Sequence, residues 1–176
     1  MALFLTPDLE PDKEPLSDQA LYLKLARYCA YQERAPAEVL RKMYQLEVKD
    51  HERQQVMLRK LEADNYLCAQ RFAQAYATGK LRQNRWGQRK IAAGLAAKGV
   101  ERDQISAQVQ GLSADDVNRA LLTLLTRRDE TAYAKLPTHE RRTKLMRLGI
   151  SRGFEPDAVR LVVANLLSAK PTDSQD

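Results

Sequence analysis

The sequence predicts an all-α protein built as an elongated, curved array of three tandem three-helix repeats, about nine helices in total, on three observations. The first is composition: 44 % of the 176 residues are apolar and only seven are glycine. Ala, Leu, Arg, Gln and Glu dominate, which are strong helix formers. The second is pattern. Apolar residues recur at three- and four-residue spacing, and no run alternates as a strand would. The third is a repeat. Lys98-Gly99-Val100-Glu101 through Ile105 reappears 54 positions later as Arg152-Gly153-Phe154-Glu155 through Val159, and Val109 and Leu112 fall on Val163 and Leu166. Each copy reads as a basic helix end, a left-handed glycine cap, an apolar residue and an acidic helix start. A repeat of that length marks stacked helical units that bury their apolar faces against neighbours.

Taken in order, residues 1–15 contain Pro7, Pro11 and Pro15 among alternating acids, and predict an extended, mobile leader. Repeat 1 spans 16–65 and is the most degenerate. Ser17 or Asp18 caps a first helix striped by Leu21, Leu25 and Tyr28. Pro36 opens a second helix carrying Val39, Leu40, Met43 and Leu46, and a third runs from about Asp50 to Asp64 with Val56, Met57 and Leu61 inward. Repeat 2 spans 66–112. Phe72 and Tyr76 share a face, Asn84-Arg85-Trp86-Gly87 interrupts the pattern, and Ile91 with Leu95 and then Ile105 with Val109 mark two further helices. Repeat 3 spans 113–168. Ser113 caps a helix bearing Val117, Ala120, Leu121, Leu124 and Leu125; Arg127 to Pro137 reads as a connection; Thr138 caps a helix with Leu145 and Leu148; Pro156 opens the last helix. Residues 169–176 predict a frayed tail. The expected core includes Phe72, Ile91, Leu95, Ile105, Val109, Leu121, Leu125, Val159 and Val163.

Charge is concentrated. Segment 80–102 carries seven basic residues against Glu101 alone, and segment 127–152 carries eight against three acids, while residues 1–20 carry five acids and one lysine. Two such blocks at corresponding places in successive units suggest a surface for a polyanion or an acidic protein face. The candidate partner- and nucleic-acid-binding residues are Arg82, Arg85, Trp86, Arg89 and Lys90 in the first block. In the second they are Arg127, Arg128, Arg141, Arg142, Lys144 and Arg147. Trp86 has two readings, a plug at a helix corner or an aromatic that stacks on a base among phosphate-binding arginines.

Chemistry-bearing motifs are absent. There is no G-x-S-x-G, H-E-x-x-H or Walker loop, so no catalytic or metal site and no cofactor is expected. Asp115-Asp116 and Asp129-Glu130 are adjacent pairs, which diverge on a helix and suit helix N-termini instead. His51 and His139 read as ordinary surface residues. Cys29 and Cys68 form no CxxC pair and read as buried thiols of a cytoplasmic protein. No stretch is apolar enough to span a membrane.

Two stretches resemble the RecX family of regulatory proteins. Tyr66-Leu67-Cys68-Ala69-Gln70-Arg71-Phe72-Ala73 is similar to the family's G-Y-L-[DN]-[DE]-x-R-F-A junction. Trp86-Gly87-Gln88-Arg89-Lys90-Ile91, with Leu95 and Lys98-Gly99-Val100, is similar to its W-G-x-x-K-I and L-x-x-K-G-[IV] run. The chain departs from the pattern at Cys68 and Ala69, where the family has acids, and at Asn65, where it has glycine. Asn65 still tolerates the left-handed conformation. The resemblance implies a non-enzymatic, monomeric, cytoplasmic regulator of DNA repair, recombination and the SOS response. Its partner would be the RecA recombinase filament, with direct contact to single- or double-stranded DNA also open, and its expected effect is inhibition. Two alternatives stand beside it: a helical nucleic-acid-binding module without a recombinase, and a helical-repeat interaction scaffold.

Overall fold

A computed structural model describes residues 16–168 and has nine α-helices and no strand among them. The helices are α1 (Asp18–Tyr31), α2 (Pro36–Gln45), α3 (His51–Ala63), α4 (Ala69–Asn84), α5 (Gln88–Ala96), α6 (Arg102–Gln110), α7 (Ala114–Thr131), α8 (Thr138–Ser151) and α9 (Pro156–Ser168). The expected leader and tail lie outside the described residues. Local chemistry sets most helix starts. Ser17, Asp50 and Ser113 each accept a hydrogen bond from the backbone N–H three residues on, and proline opens α2 and α9. Thr138 is the first residue of α8 and not its cap; Pro137 holds that position. The expected connection from Arg127 is helical as far as Thr131, because α7 continues to pack on α8 and α9.

The helices pack in consecutive threes. Helices α1, α2 and α3 contact one another; α4 packs on α5, α6 and α7; α7 packs on α8 and α9. The first three-helix unit closes its own core around Leu21, Leu25, Val39, Met43, Met57 and Leu61. The second and third units share a single core that runs from Phe72 through Ile91, Leu95, Leu121 and Leu125 to Phe154, Val159 and Val163. Ala35, which precedes α2, is buried in that second core and ties the first unit to it.

Three core expectations change. Val56 is exposed, and Gln54 is buried in its place with its amide donating to the Val48 carbonyl at 2.8 Å. The inward stripe of α3 is therefore Gln54, Met57, Leu58 and Leu61. Ile105 and Val109 are only half-buried, because α6 packs on α4 and α5 and its outer side has no cover. Their counterparts Val159 and Val163 are fully enclosed because α9 lies against both α7 and α8.

The turn that carries the sequence repeat occurs three times. Glu47, Gly99 and Gly153 all have positive φ, of 61°, 77° and 86°. In each, the next residue donates its N–H to the carbonyl five positions back: Val48 to Met43, Val100 to Leu95 and Phe154 to Gly149, at 3.0–3.2 Å. That is the Schellman closure, and the residue after the turn is buried each time.

The third turn docks on the second unit. Gly87 donates its N–H to the Arg152 carbonyl at 2.8 Å, and Arg89 donates to the Gly153 carbonyl at 3.0 Å. A Cβ on Gly87 would sit 2.3 Å from the Phe154 nitrogen, and one on Gly153 would sit 2.4 Å from the Lys90 nitrogen. The equivalent Gly99 approaches the first unit more loosely, with its nearest neighbour, the Ala37 Cβ, at 3.8 Å. Gly99→Ala therefore costs only the left-handed penalty of about 1–2 kcal/mol. Gly153→Ala adds a backbone clash and lowers the denaturation midpoint well beyond that. Equal midpoints for the two variants in parallel urea melts would show that the units do not interlock here.

Candidate functional site

Two ion pairs position the basic residues. Arg71 on α4 donates from Nε to Glu33 at 2.7 Å and from its two terminal nitrogens to the side chain and carbonyl of Asn65. Asn65 is left-handed at φ 62°, as the sequence predicts. Arg71 thus clamps the junction of the first two units, and Glu33, hydrogen-bonded to it, raises its pKa further. On α2, Glu38 accepts the Ala35 N–H at 3.2 Å and the Lys98 ammonium at 2.5 Å. Burial pushes the Glu38 carboxyl up, but the bonds from Lys98 and Ala35, with the charges of Lys98 and Arg34, outweigh it and hold it below its usual value.

Asp129 and Arg141 correct the sequence reading. Asp129 is 1 % exposed, near the C-terminal end of α7, and is not a helix-start acid. Arg141 meets it with two parallel bonds, Nε to Oδ1 at 2.8 Å and Nη2 to Oδ2 at 2.6 Å. The side chain of Arg141 keeps only 13 % of its surface, and it fastens α8 to α7. The bond to Asp129 raises its pKa further.

The other candidates divide by place. Arg85, Arg127 and Arg128 line one groove between α4 and α7, of about 640 Å³, with Arg152 from the α8–α9 turn as a fourth arginine. Gln83, Asn84, Thr123, Leu124 and Thr131 complete its wall, and no acid lines it. Arg82 and Arg119 sit in the adjoining groove, which also includes Arg85, and there Asp116 faces them at 3.6 and 3.7 Å. Arg85 ends α4 in the left-handed conformation at φ 53°, and its own N–H and that of Trp86 both point back to the Lys80 carbonyl. Arg89 is exposed on α5. Arg142 lies apart, beside His139 and Leu167 at the α8–α9 edge. Lys144 stands 5.9 Å from the Tyr133 ring, and Arg147 is exposed on α8.

Trp86 is half-buried against the shared core, with the Lys80 and Lys90 ammonium groups 5.0 and 4.9 Å from its ring. It plugs the α4–α5 corner and does not line the arginine groove. Sequence reasoning missed Arg152 as a groove member. Its position beside the repeated glycine was visible, but its neighbours come from 68 residues away, where it donates to the Asn84 carbonyl at 3.2 Å.

Among the described residues no group of His, Cys, Asp and Glu is placed to hold a metal ion, and no helix is long and apolar enough to cross a membrane. Cys29 is buried, and burial pushes its thiol up to about 11. Cys68 is half-buried at the start of α4, not fully buried as expected.

Residues 70–107 match the family model described as RecX, second three-helix domain. The match runs from the first turn of α4 into α6. Over those residues the chain is similar to the second three-helix domain of RecX. The fold around that domain is RecX-like as well. The crystal structure of RecX from Lactobacillus salivarius superposes with a TM-score of 0.74 at 17 % identity, covering 85 % of this chain and 96 % of that one. A crystal structure of regulatory protein RecX gives the same score and identity over 87 % of this chain and 73 % of that one. At that identity the likeness establishes the fold. No curated protein sequence matches the chain significantly. The matched segment holds Arg82, Arg85, Trp86, Arg89 and Lys90; the arginines across the groove lie beyond it, on α7 and the α8–α9 turn.

Two predictions follow from the ion pairs. Asp129→Ala leaves Arg141 without its bidentate partner in a nearly closed site and costs about 3 kcal/mol in chemical denaturation, whereas Arg142→Ala one position on costs under about 0.5 kcal/mol. Glu38 is more acidic folded than unfolded, so its contribution is complete above the ordinary carboxyl value of 4.5 and is lost as pH falls through the lowered folded value. Glu38→Gln should therefore show a shallower loss of stability below about pH 4.5 than the wild type, measured by urea midpoints across pH.

Proposed function

We propose that this chain is a RecX-type regulatory protein that binds the RecA recombinase filament on DNA and restrains its activity, and so acts in the control of DNA repair, recombination and the SOS response. The observation that carries the reading is the RecX domain at 70–107, with a groove of acid-free arginine surface formed where that domain meets the next unit. Two solved structures titled RecX, one of them described as regulatory, share the fold. The unit boundaries that go with this reading are 16–65, 66–112 and 113–168. A filament of protein and DNA is a repeating anionic partner, and a chain of helical units presenting basic residues matches it in form and charge. The reading includes no catalysis by the chain itself, a monomeric state and a cytoplasmic location.

Of the eleven sequence candidates, Arg82, Arg85, Arg89, Arg127 and Arg128 are the proposed contact set, with Arg152 added. Lys90 and Trp86 support that surface from the α5 side. Arg142 stands at the α8–α9 edge, and Lys144 and Arg147 lie on another side of α8. Arg141 is omitted because Asp129 holds it.

Titration of the purified protein into RecA-catalysed, DNA-dependent ATP hydrolysis tests the reading. Wild type should lower the rate in a saturable way. Arg85→Glu with Arg89→Glu should weaken that effect at least tenfold with unchanged circular dichroism and melting. Arg141→Glu should instead unfold the protein, which separates the two classes of arginine. No change in hydrolysis at any ratio of protein to filament would overturn the proposal.

A further inference from the structure

A groove of about 610 Å³ runs along α4 where the first unit meets the second. Phe72, Ala75, Tyr76 and Gly79 recur at helical spacing on α4 and form its apolar floor. Two carboxylates reach its edge, and both are already engaged: Glu33 by Arg71 at 2.7 Å and Glu38 by Lys98 at 2.5 Å. Lys80 has no carboxylate within 4 Å among the described residues and stands 5.3 Å from the Tyr76 ring. Gly79 lies inside α4, where glycine is destabilising relative to alanine. The other glycines inside helices have an internal reason. A Cβ on Gly94 would meet the Tyr76 hydroxyl at 2.3 Å, and one on Gly149 would meet Val159 at 2.6 Å. At Gly79 nothing stands within 4 Å, so the space above it is open and no contact within the described fold uses it.

A second exposed track leads to this groove. Leu23, Lys24, Arg27 and Tyr31 lie on one face of α1, and all four are exposed, Leu23 at 47 % and Tyr31 at 85 %. The row ends at Tyr31, one residue before Gln32, which lines the groove. Apolar and basic side chains thus alternate along the outer side of α1 with no helix packed over them.

We infer that residues 1–15 of this chain fold back along α1 and seat Leu3, Phe4 and Leu5 in the α4 groove, as an intramolecular cover over the join of the first two units. The chemistry of the segment matches the track. Asp8, Glu10, Asp12 and Glu14, with Lys13 as the one cation, fall beside Lys24 and Arg27, and the apolar head falls on the apolar floor. The segment leaves from a fixed point: Arg53 donates to the Leu16 carbonyl and, at 2.7 Å, to the Asp18 carboxylate. Its length also fits. Fifteen extended residues reach about 50 Å, whereas α1 is about 21 Å long and α4 from Phe72 to Asn84 about 18 Å. Pro7, Pro11 and Pro15 favour an extended course. A segment tethered this closely meets its groove at an effective concentration on the order of 1 mM, so an affinity of about 0.1 mM for the free segment suffices to seat it about nine-tenths of the time. Gln83 and Asn84 line this groove and the arginine groove alike, so the seated segment reaches the edge of the proposed contact surface and can regulate access to it.

Limited proteolysis of the full chain by chymotrypsin tests the inference with no recombinase present. The quantity read is the rate of cleavage after Phe4, by mass spectrometry, against the same bond in a free synthetic peptide of residues 1–16. Wild type should be cut about tenfold more slowly than the peptide, and the protection should shrink as salt screens the acids. Gly79→Leu puts a side chain into the open space of the groove; it should bring the rate to within about twofold of the peptide while its melting midpoint stays at or above that of wild type. Lys24→Glu with Arg27→Glu should raise the rate about threefold with unchanged melting. Cleavage of wild type at the rate of the peptide overturns the inference. Protection that survives either substitution also overturns it, because the segment is then held elsewhere. Protection that grows with protein concentration, with a dimer in sedimentation equilibrium, overturns it in favour of a segment supplied by a second copy.

Discussion

Gly87 and Gly153 approach so closely that neither position has room for a methyl group, and two backbone hydrogen bonds cross the gap between them. That contact decides how the third unit sits on the second. With it in place, Phe154 enters the shared core, α7 lies along α4, and Arg152 reaches the carbonyl of Asn84 at the end of α4. The arginine cleft exists only because those elements are held together. The corresponding join between the first and second units is softer. It relies on the Arg71 clamp to Glu33 and Asn65, the Lys98–Glu38 pair and the small Ala35 and Ala37, with no backbone interdigitation at Gly99. The separate core of the first unit is the packing counterpart of that softer join.

The basic residues split into two populations by pairing. Arg71 and Arg141 are held by acids and close junctions in the scaffold. Arg85, Arg127, Arg128 and Arg152 converge on a surface with no acid to answer them. An arginine paired at 2.6–2.8 Å inside a packed corner contributes through geometry, and its loss leaves a buried carboxylate uncompensated. An arginine in an open cleft contributes little to stability and is available to a ligand. The two populations lie side by side in the chain: Arg141 and Arg142 are neighbours, yet one is nearly closed off and the other is exposed.

The turn that recurs three times shows what repetition in a helical array preserves. Glu47 takes the same left-handed place as Gly99 and Gly153, with the same Schellman closure and the same buried residue after it. Its side chain is largely exposed and pairs with Lys49. Glycine is required by close approach at Gly153, but among the described residues no other unit packs over the turn at Glu47, so a charged residue is tolerated there at the cost of local strain.

The sequence by itself determined the helical class, the starts of six of the nine described helices, the left-handed caps at Asn65, Gly99 and Gly153, and the likeness to RecX. Those features follow from local chemistry: propensity, proline and N-cap placement, helical periodicity and glycine's freedom at positive φ. It also showed the two basic blocks. Only the tertiary structure decided which of their arginines are held by acids and which line the cleft. The third copy of the turn was hidden because a glutamate stands where a glycine would mark it. The inward stripe of α3 was misplaced because a buried glutamine, satisfied by the Val48 carbonyl, outranks a valine on that face. Arg141 and Asp129 lie twelve residues apart and Arg152 and Asn84 sixty-eight, so their meetings depend on how helices stack. Periodicity within a helix reports which face turns inward; it carries no information about which distant charge that face will meet.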